Sequence, residues 1–318
     1  MSATHHREPL RGYGLYLAAA CLFGFNGTVS KTLLATGISA ARLSELRVTS
    51  ACFVLLVVVL LRNRASLRLR GWSEVRLLAG YGIAGVLLTQ YMYFLSIHRI
   101  PVGITLIIEF TSPFMVAVWL RATKGTEIGR RVVIGMAVAF CGLVLVAQVW
   151  QGLQLDALGV IYAWAAAISL AVYFVLGEAA TAQPYHRDSI TVTMYGFAFA
   201  SLVWAIAQPW WSFPWHYLQG RSEPWGAPGW RLPLWLLVCS MVLLGTVITF
   251  WLVVSSFKHI SAAQASSFGM VEPVTAIVIA WALIGESLTL WQMLGIAVTG
   301  VGIFIAERSR MQPIEYVE

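Results

Sequence analysis

Apolar residues run through the chain in ten blocks of about twenty, divided by short polar connections. The blocks are 13–36, 42–61, 76–97, 101–121, 131–150, 157–178, 189–211, 232–254, 260–283 and 289–306. A helix rises about 1.5 Å per residue, so each block is long enough to cross a bilayer's hydrocarbon once. Each is expected to be helical, because a lone strand in lipid would leave its backbone N–H and C=O groups unpaired. The pattern therefore predicts an all-α integral membrane protein with ten transmembrane helices.

Composition agrees. Of 318 residues, 59% are hydrophobic and 11% charged, whereas a soluble protein carries about 25% charged residues. No stretch is left for a large water-soluble domain. The net charge of +7 would suggest nucleic acid if the basic residues shared one face, but they are scattered among the connections, so the lipid bilayer is the expected partner and nucleic acid is not. Cys21, Cys52, Cys141 and Cys239 each lie in an apolar block without paired spacing, which indicates neither disulfides nor zinc and reads as packing. Arg7 and Arg11 before an apolar run imitate a signal peptide, but the run continues to Thr36 and nine blocks follow, so it reads as a retained first helix.

Lys and Arg are enriched in cytoplasmic connections. If the chain starts inside, the cytoplasmic segments collect Arg7, Arg11, Arg62, Arg64, Arg68, Arg70, Arg76, Arg121, Lys124, Arg130, Arg131, Arg187, Lys258, Arg308 and Arg310, while the other side holds Arg42, Arg99, Arg221 and Arg231. That is 15 against 4, so both termini are expected in the cytoplasm. The connection from Ser212 to Trp230 is the longest and carries Trp215, Trp225, Trp230, Pro214, Pro224 and Pro228. It reads as an interfacial aromatic anchor, with an external lid as the sharper alternative.

The chain also repeats itself. At an offset of 160, Gly85 meets Gly245, Thr89 meets Thr249, Ser96 meets Ser256, Ile100 meets Ile260, Pro113 meets Pro273, Gly135 meets Gly295 and Gly142 meets Gly302. At an offset of 147, Gly12 meets Gly159 and Lys31 meets Glu178. Residues 1–150 and 151–318 are thus expected to be two five-helix repeats. Five is odd, so the second copy enters the membrane from the opposite side. Inverted repeats are the architecture of alternating access, in which a central site faces each side in turn.

Charge in mid-membrane is costly and marks candidate sites. Glu109 and Glu272 lie midway along the fourth and ninth blocks, beside the matched prolines Pro113 and Pro273. A proline within a helix removes a backbone donor and frees a carbonyl, which must then face protein or water. Away from water the charged carboxylate is disfavoured, so both acids are candidates for proton uptake and release; the bland alternative is a hydrogen-bonded acid tying two helices together. Around them the expected cavity takes Asn26, Gln90, Tyr93, Ser169, Tyr173, Thr246, Thr249 and Gln264, several at the three- or four-residue spacing that shares a helix face. Lys31 and Arg47 read as side chains snorkelling toward the outer boundary, the alternative being that they neutralise an anionic substrate. Gly80-Tyr81-Gly82-Ile83-Ala84-Gly85 spells a dinucleotide fingerprint, but without a preceding strand it reads as helix packing. Thr289 and Gln292 fit a capping box at the start of the last helix, with Glu286 suited to that helix's positive end.

These residues carry a resemblance. Leu46-Arg47, the run from Ile100 to Pro113 (I-P-V-G-I-T-L-I-I-E-F-T-S-P), Glu272-Pro-Val-Thr-Ala and Ile284-Gly-Glu-Ser-Leu are similar to the motifs of EamA-type members of the drug/metabolite transporter superfamily over nearly the whole chain. The acid-and-proline pairs look like those of threonine/homoserine exporters. The resemblance implies ten helices, a central cavity and export of amino acids or related metabolites across a bacterial inner membrane. The Gly285-Glu286 pair of the second half departs from Gly125-Thr126 in the first, where Glu127 comes one position late.

The function expected is secondary transport of a small amphipathic metabolite, driven by a proton or substrate gradient, with no cofactor and an undetermined oligomeric state. One alternative is an intramembrane enzyme. Against it, His5, His6, His98, His186, His216 and His259 lie at block ends or in connections, as do Asp156 and Asp188, and no HExxH motif occurs. The other is a non-transporting membrane subunit, which would show no flux when reconstituted alone.

Overall fold

The apolar blocks fold as ten helices long and apolar enough to cross a membrane: Pro9–Leu34, Ala40–Arg62, Trp72–Ile97, Gly103–Thr123, Arg130–Ala147, Ala157–Thr181, Ser189–Ala207, Leu234–Ser256, Ala262–Ile279 and Leu290–Arg308. They are called spans one to ten. The computed structural model describes residues 8–125, 128–148, 150, 156–182, 184–185, 187–223, 231–284 and 288–310. Thr126, Glu127, Trp225, Trp230, Gly285 and Glu286 lie outside the described residues, as do the expectations placed on them. Phe53, Trp72, Ile206 and Trp211 are each more than two-thirds exposed, the surface expected of a bundle solvated by lipid.

Span ends follow local chemistry. Span five stops at Ala147 because Gln148 turns left-handed at φ 48°, and span seven stops at Ala207 because Gln208 is extended before Pro209. Asp156 caps span six by accepting from the Gly159 N–H at 2.9 Å. The capping box expected at span ten is present, with Thr289 N–H on Gln292 Oε1 at 3.0 Å and Gln292 N–H on Thr289 Oγ1 at 3.2 Å. The aromatic connection after span seven makes single turns at Trp210–Ser212 and Trp215–Leu218, then a two-residue antiparallel pair of Arg221–Ser222 with Leu232–Pro233. Three of the four cysteines, Cys21, Cys141 and Cys239, are exposed rather than packed, and all four are free. Their apolar blocks turn these positions outward.

The two halves are inverted repeats, and the symmetry reaches individual contacts. A methyl group added to Gly12 would press on His259 and Ile260, while one added to Gly159 would press on the matching Arg99 and Ile100. Spans five and ten meet backbone to backbone. An added Cβ at Gly142 would lie 2.4 Å from the Thr299 nitrogen, and one at the matching Gly302 would lie 2.2 Å from the Ala139 nitrogen. Small residues allow this close approach, which is how helices gain packing energy in lipid.

Two irregularities also come in symmetric pairs. Spans three and eight each widen into π-helical turns, at Tyr81–Leu87 and Leu243–Ile248. Spans four and nine each break into two helices, Val102–Glu109 with Ser112–Lys124, and Ala262–Phe268 with Val271–Ile284. The breaks fall at Phe110–Thr111 and Gly269–Met270, within the turn before Pro113 and Pro273.

Arginines tie the halves together at both faces. At the face holding the first and last span ends, buried Arg187 pairs with buried Glu74 and donates to the Ser66 and Arg68 carbonyls. The hydrogen bond to Glu74 raises the Arg187 pKa above its ordinary value. At the opposite face, Arg42 pairs with buried Glu45 at 2.8 Å and donates to Ser212 Oγ at 2.6 Å. Arg187 lies between the first two spans of its own half and Arg42 in the first turn of the second span of its half, and each grips the connection after the second span of the other.

Candidate functional site

The breaks place the two acids. Glu109 is the last residue of the Val102–Glu109 half-helix, and Glu272 is the second of Val271–Ile284. Backbone dipoles put partial negative charge at the first position and partial positive charge at the second, so the two acids, on opposite sides of their breaks, meet unlike environments. Glu109 is 8% exposed and Glu272 is half-buried. Neither carboxyl accepts a hydrogen bond from a described residue.

Around them stand three tyrosines and one arginine. Tyr16, Tyr93 and Tyr173 all lie within electrostatic range of Glu272, Tyr16 and Tyr93 also within range of Glu109, and Arg47 within range of Glu272. The two acids lie within range of each other. An aromatic wall backs the group: Tyr173 stacks on Tyr81 at 5.2 Å and meets Phe250 edge-on at 5.8 Å, while Tyr16 packs with Phe174 and Phe268.

Of the expected residues, Asn26 and Gln90 hold buried polar atoms without a partner among the described residues, namely Asn26 Oδ1 and both carboxamide atoms of Gln90, while Tyr173 and Tyr81, which was not expected, bring their hydroxyls within range of each other. An unmet buried polar atom costs about 1–3 kcal/mol, and native proteins rarely leave several together unless water or a ligand meets them. Ser169 is buried on span six with Tyr173.

Two expected residues serve elsewhere. Thr249 is fully buried, but its hydroxyl donates to the Leu244 carbonyl at 2.5 Å and so closes the π-turn of span eight. Gln264 caps its own helix: Ser261 N–H donates to its Oε1 at 2.9 Å, and its Nε2 donates to Tyr13 OH at 3.0 Å. Tyr13 in turn donates to Glu307, which also accepts from Ser267 Oγ at 2.9 Å. Gln264 therefore belongs to a polar cluster near the span ends, about 12 Å along the chain axis from Glu272.

Arg47 is the main correction. It does not snorkel: it is 6% exposed, donating from Nε to Thr246 Oγ1 at 2.7 Å and from Nη2 to the Gly245 carbonyl at 3.0 Å. The π-turn makes this possible by widening span eight and releasing a carbonyl. Thr246 meanwhile donates to the Met241 carbonyl at 2.8 Å. Gly245 is required here, since an added Cβ would lie 2.1 Å from Asn26 Oδ1. The matching Gly85 lies against Tyr173, which matches Asn26 in the other half. Glycine contacts of one half thus position a polar residue of the other. Tyr16, also unforeseen, carried no sequence signal beyond its place in an apolar block. The side chain of Lys31 lies outside the described residues.

One family model matches residues 10–148 and again 157–307. The chain belongs to the EamA-like transporter family. Among curated proteins it is similar to an uncharacterized transporter of Archaeoglobus fulgidus, 24% identical over 221 residues, which cover 70% of this chain and 73% of that protein. Among solved structures, one described only as the crystal structure of a protein aligns with a TM-score of 0.73 and 17% identity, covering 95% of this chain and 99% of that one. At that identity the likeness is one of fold. This member of the EamA-like family is therefore a multi-pass membrane transporter with ten spans.

Proposed function

We propose that the chain is a secondary active exporter of small amphipathic metabolites, amino acids foremost, working by alternating access and coupled to protons. The observation that supports this reading is the pair of acids at symmetry-matched helix breaks, both without a hydrogen-bond donor among the described residues, in a chain whose expected cavity residues Asn26 and Gln90 also keep unmet buried polar atoms. Glu109, at a negative helix end, is suited to hold a proton or a substrate ammonium in turn. Glu272, at a positive helix end and facing Arg47, is suited to remain a carboxylate. The breaks let each half exchange shape with the other, which inverted repeats make possible with one site. The charge tally supports cytoplasmic termini in a bacterial inner membrane, and the site's chemistry serves binding and release without a reaction.

The test is counterflow. Purified protein in proteoliposomes loaded with one amino acid at a time should accelerate uptake of the same labelled amino acid for at least one member of a panel of twenty. No accelerated exchange for any of them would contradict the assignment of substrate class, and a bound, chemically altered panel member would favour the enzymatic alternative.

A further inference from the structure

Arg47 is a buried guanidinium with hydrogen bonds to spare. Arginine offers five N–H donors in a planar fork. The span-eight π-turn takes up one on Nε and one on Nη2, through Thr246 and Gly245. The donors of Nη1 meet no partner among the described residues. Glu272 lies within electrostatic range, yet no N···O contact of 4.0 Å or less joins the two. A guanidinium held on one edge, open on the other, and set apart from the nearest anion keeps donors for a second acceptor.

The charges around it are unevenly arranged. Arg47 supplies the positive pole, with Glu272 on the first turn of Val271–Ile284 set apart from it, whereas Glu109 and the end of Val102–Glu109 form a negative one. The Arg47 guanidinium carbon lies 6.0 Å from the Phe250 ring, which Tyr173 meets edge-on at 5.8 Å. A ligand that satisfied both poles would carry an acidic and a basic group on one small apolar body.

We propose that Arg47 recognises the acidic group of a zwitterionic substrate whose ammonium pairs with Glu109. The assignment rests on the transport reading above and makes it specific: an amine lacking the acid leaves the free edge of Arg47 unpaired. Sites built to hydrogen-bond a substrate group discriminate strongly against analogues lacking it, because their own buried groups are then unmet. Arg47 is a specificity residue; Thr246 and Gly245 position it.

The experiment uses the full chain in proteoliposomes and three matched pairs: leucine with isoamylamine, phenylalanine with phenethylamine, and threonine with 1-aminopropan-2-ol. Counterflow of each labelled amino acid is measured with its own acid or its amine as competitor. In the wild type the acid should compete at least about tenfold better than the amine. Arg47→Gln should bring the two within about twofold of each other. Arg47→Lys keeps the charge, loses the fork, and should give an intermediate ratio; it decides the matter if Arg47→Gln does not fold. An unchanged acid-to-amine ratio in the folded variants overturns the role of Arg47. Equal competition by acid and amine in the wild type overturns it too, while leaving transport standing. Absence of counterflow with every probe overturns both the transport reading and this assignment.

Discussion

Gly245→Ala tests whether the span-eight π-turn and Asn26 are fitted to each other. The new methyl group would lie 2.1 Å from Asn26 Oδ1, 2.2 Å from Cγ and 2.6 Å from Cβ. A rotamer change moves the first two atoms but not the third, and Asn26 is 4% exposed. Forcing extra carbon into a packed interior costs about 1–3 kcal/mol. The upper end applies here, and replacing glycine by alanine in a helix returns about 1 kcal/mol, so the net loss should be about 2 kcal/mol. The matched change Gly85→Ala meets Tyr173 Cα at 3.0 Å and Cβ at 3.2 Å, a milder crowding that the same helix gain should nearly cancel. Purified variants would be compared by thermal unfolding in detergent, followed as loss of the monodisperse species. Gly245→Ala should unfold several degrees below the wild type and Gly85→Ala close to it. Asn26→Gly, which removes all three atoms, made together with Gly245→Ala should recover about half of the loss after the roughly 1 kcal/mol helix cost of the new glycine, a coupling of about 2 kcal/mol. Equal stability of Gly245→Ala and the wild type, or a double variant no more stable than Gly245→Ala, would refute the contact.

Arg187→Met leaves Glu74 buried without its cation and should destabilise by about 3–5 kcal/mol. Adding Glu74→Gln should restore part of that loss, because the uncompensated charge is gone; both are read by the same unfolding assay. Burial, with Arg11 and then Lys258 also acting against the charged form, lowers the His259 pKa from its ordinary 6.5. Its contribution to stability is therefore present above about pH 6.5 and is lost as pH falls through the lowered value. His259→Gln should flatten the pH dependence of unfolding across that window, and a variant as acid-sensitive as the wild type would contradict the sign.

The spans were legible because hydrocarbon thickness dictates block length whatever the residues' partners. The inverted repeat was legible because Gly85, Pro113, Gly135 and Gly142 recur at one offset, and each of these residues acts through backbone geometry that only its own type supplies. The helix breaks beside Glu109 and Glu272 followed from Pro113 and Pro273 for the same reason. The π-turns were not legible. They depend on Gly245 lying against Asn26 and Gly85 against Tyr173, contacts between spans far apart in the chain. The place of Arg47 was missed likewise, because its partner Thr246 is 199 residues away. Gln264 could have been placed correctly: Ser261-Ala-Ala-Gln264 spells the same capping box as Thr289 with Gln292.

The central claim is that Glu109 and Glu272 carry the coupled transport cycle, and it is most directly tested by flux under an imposed pH gradient. Wild-type proteoliposomes should move an accepted amino acid faster with the gradient than without it. Glu109→Gln should abolish that acceleration while leaving folded protein in the membrane, and Glu272→Gln should lower exchange with and without the gradient. A gradient response in both variants equal to that of the wild type would contradict the account.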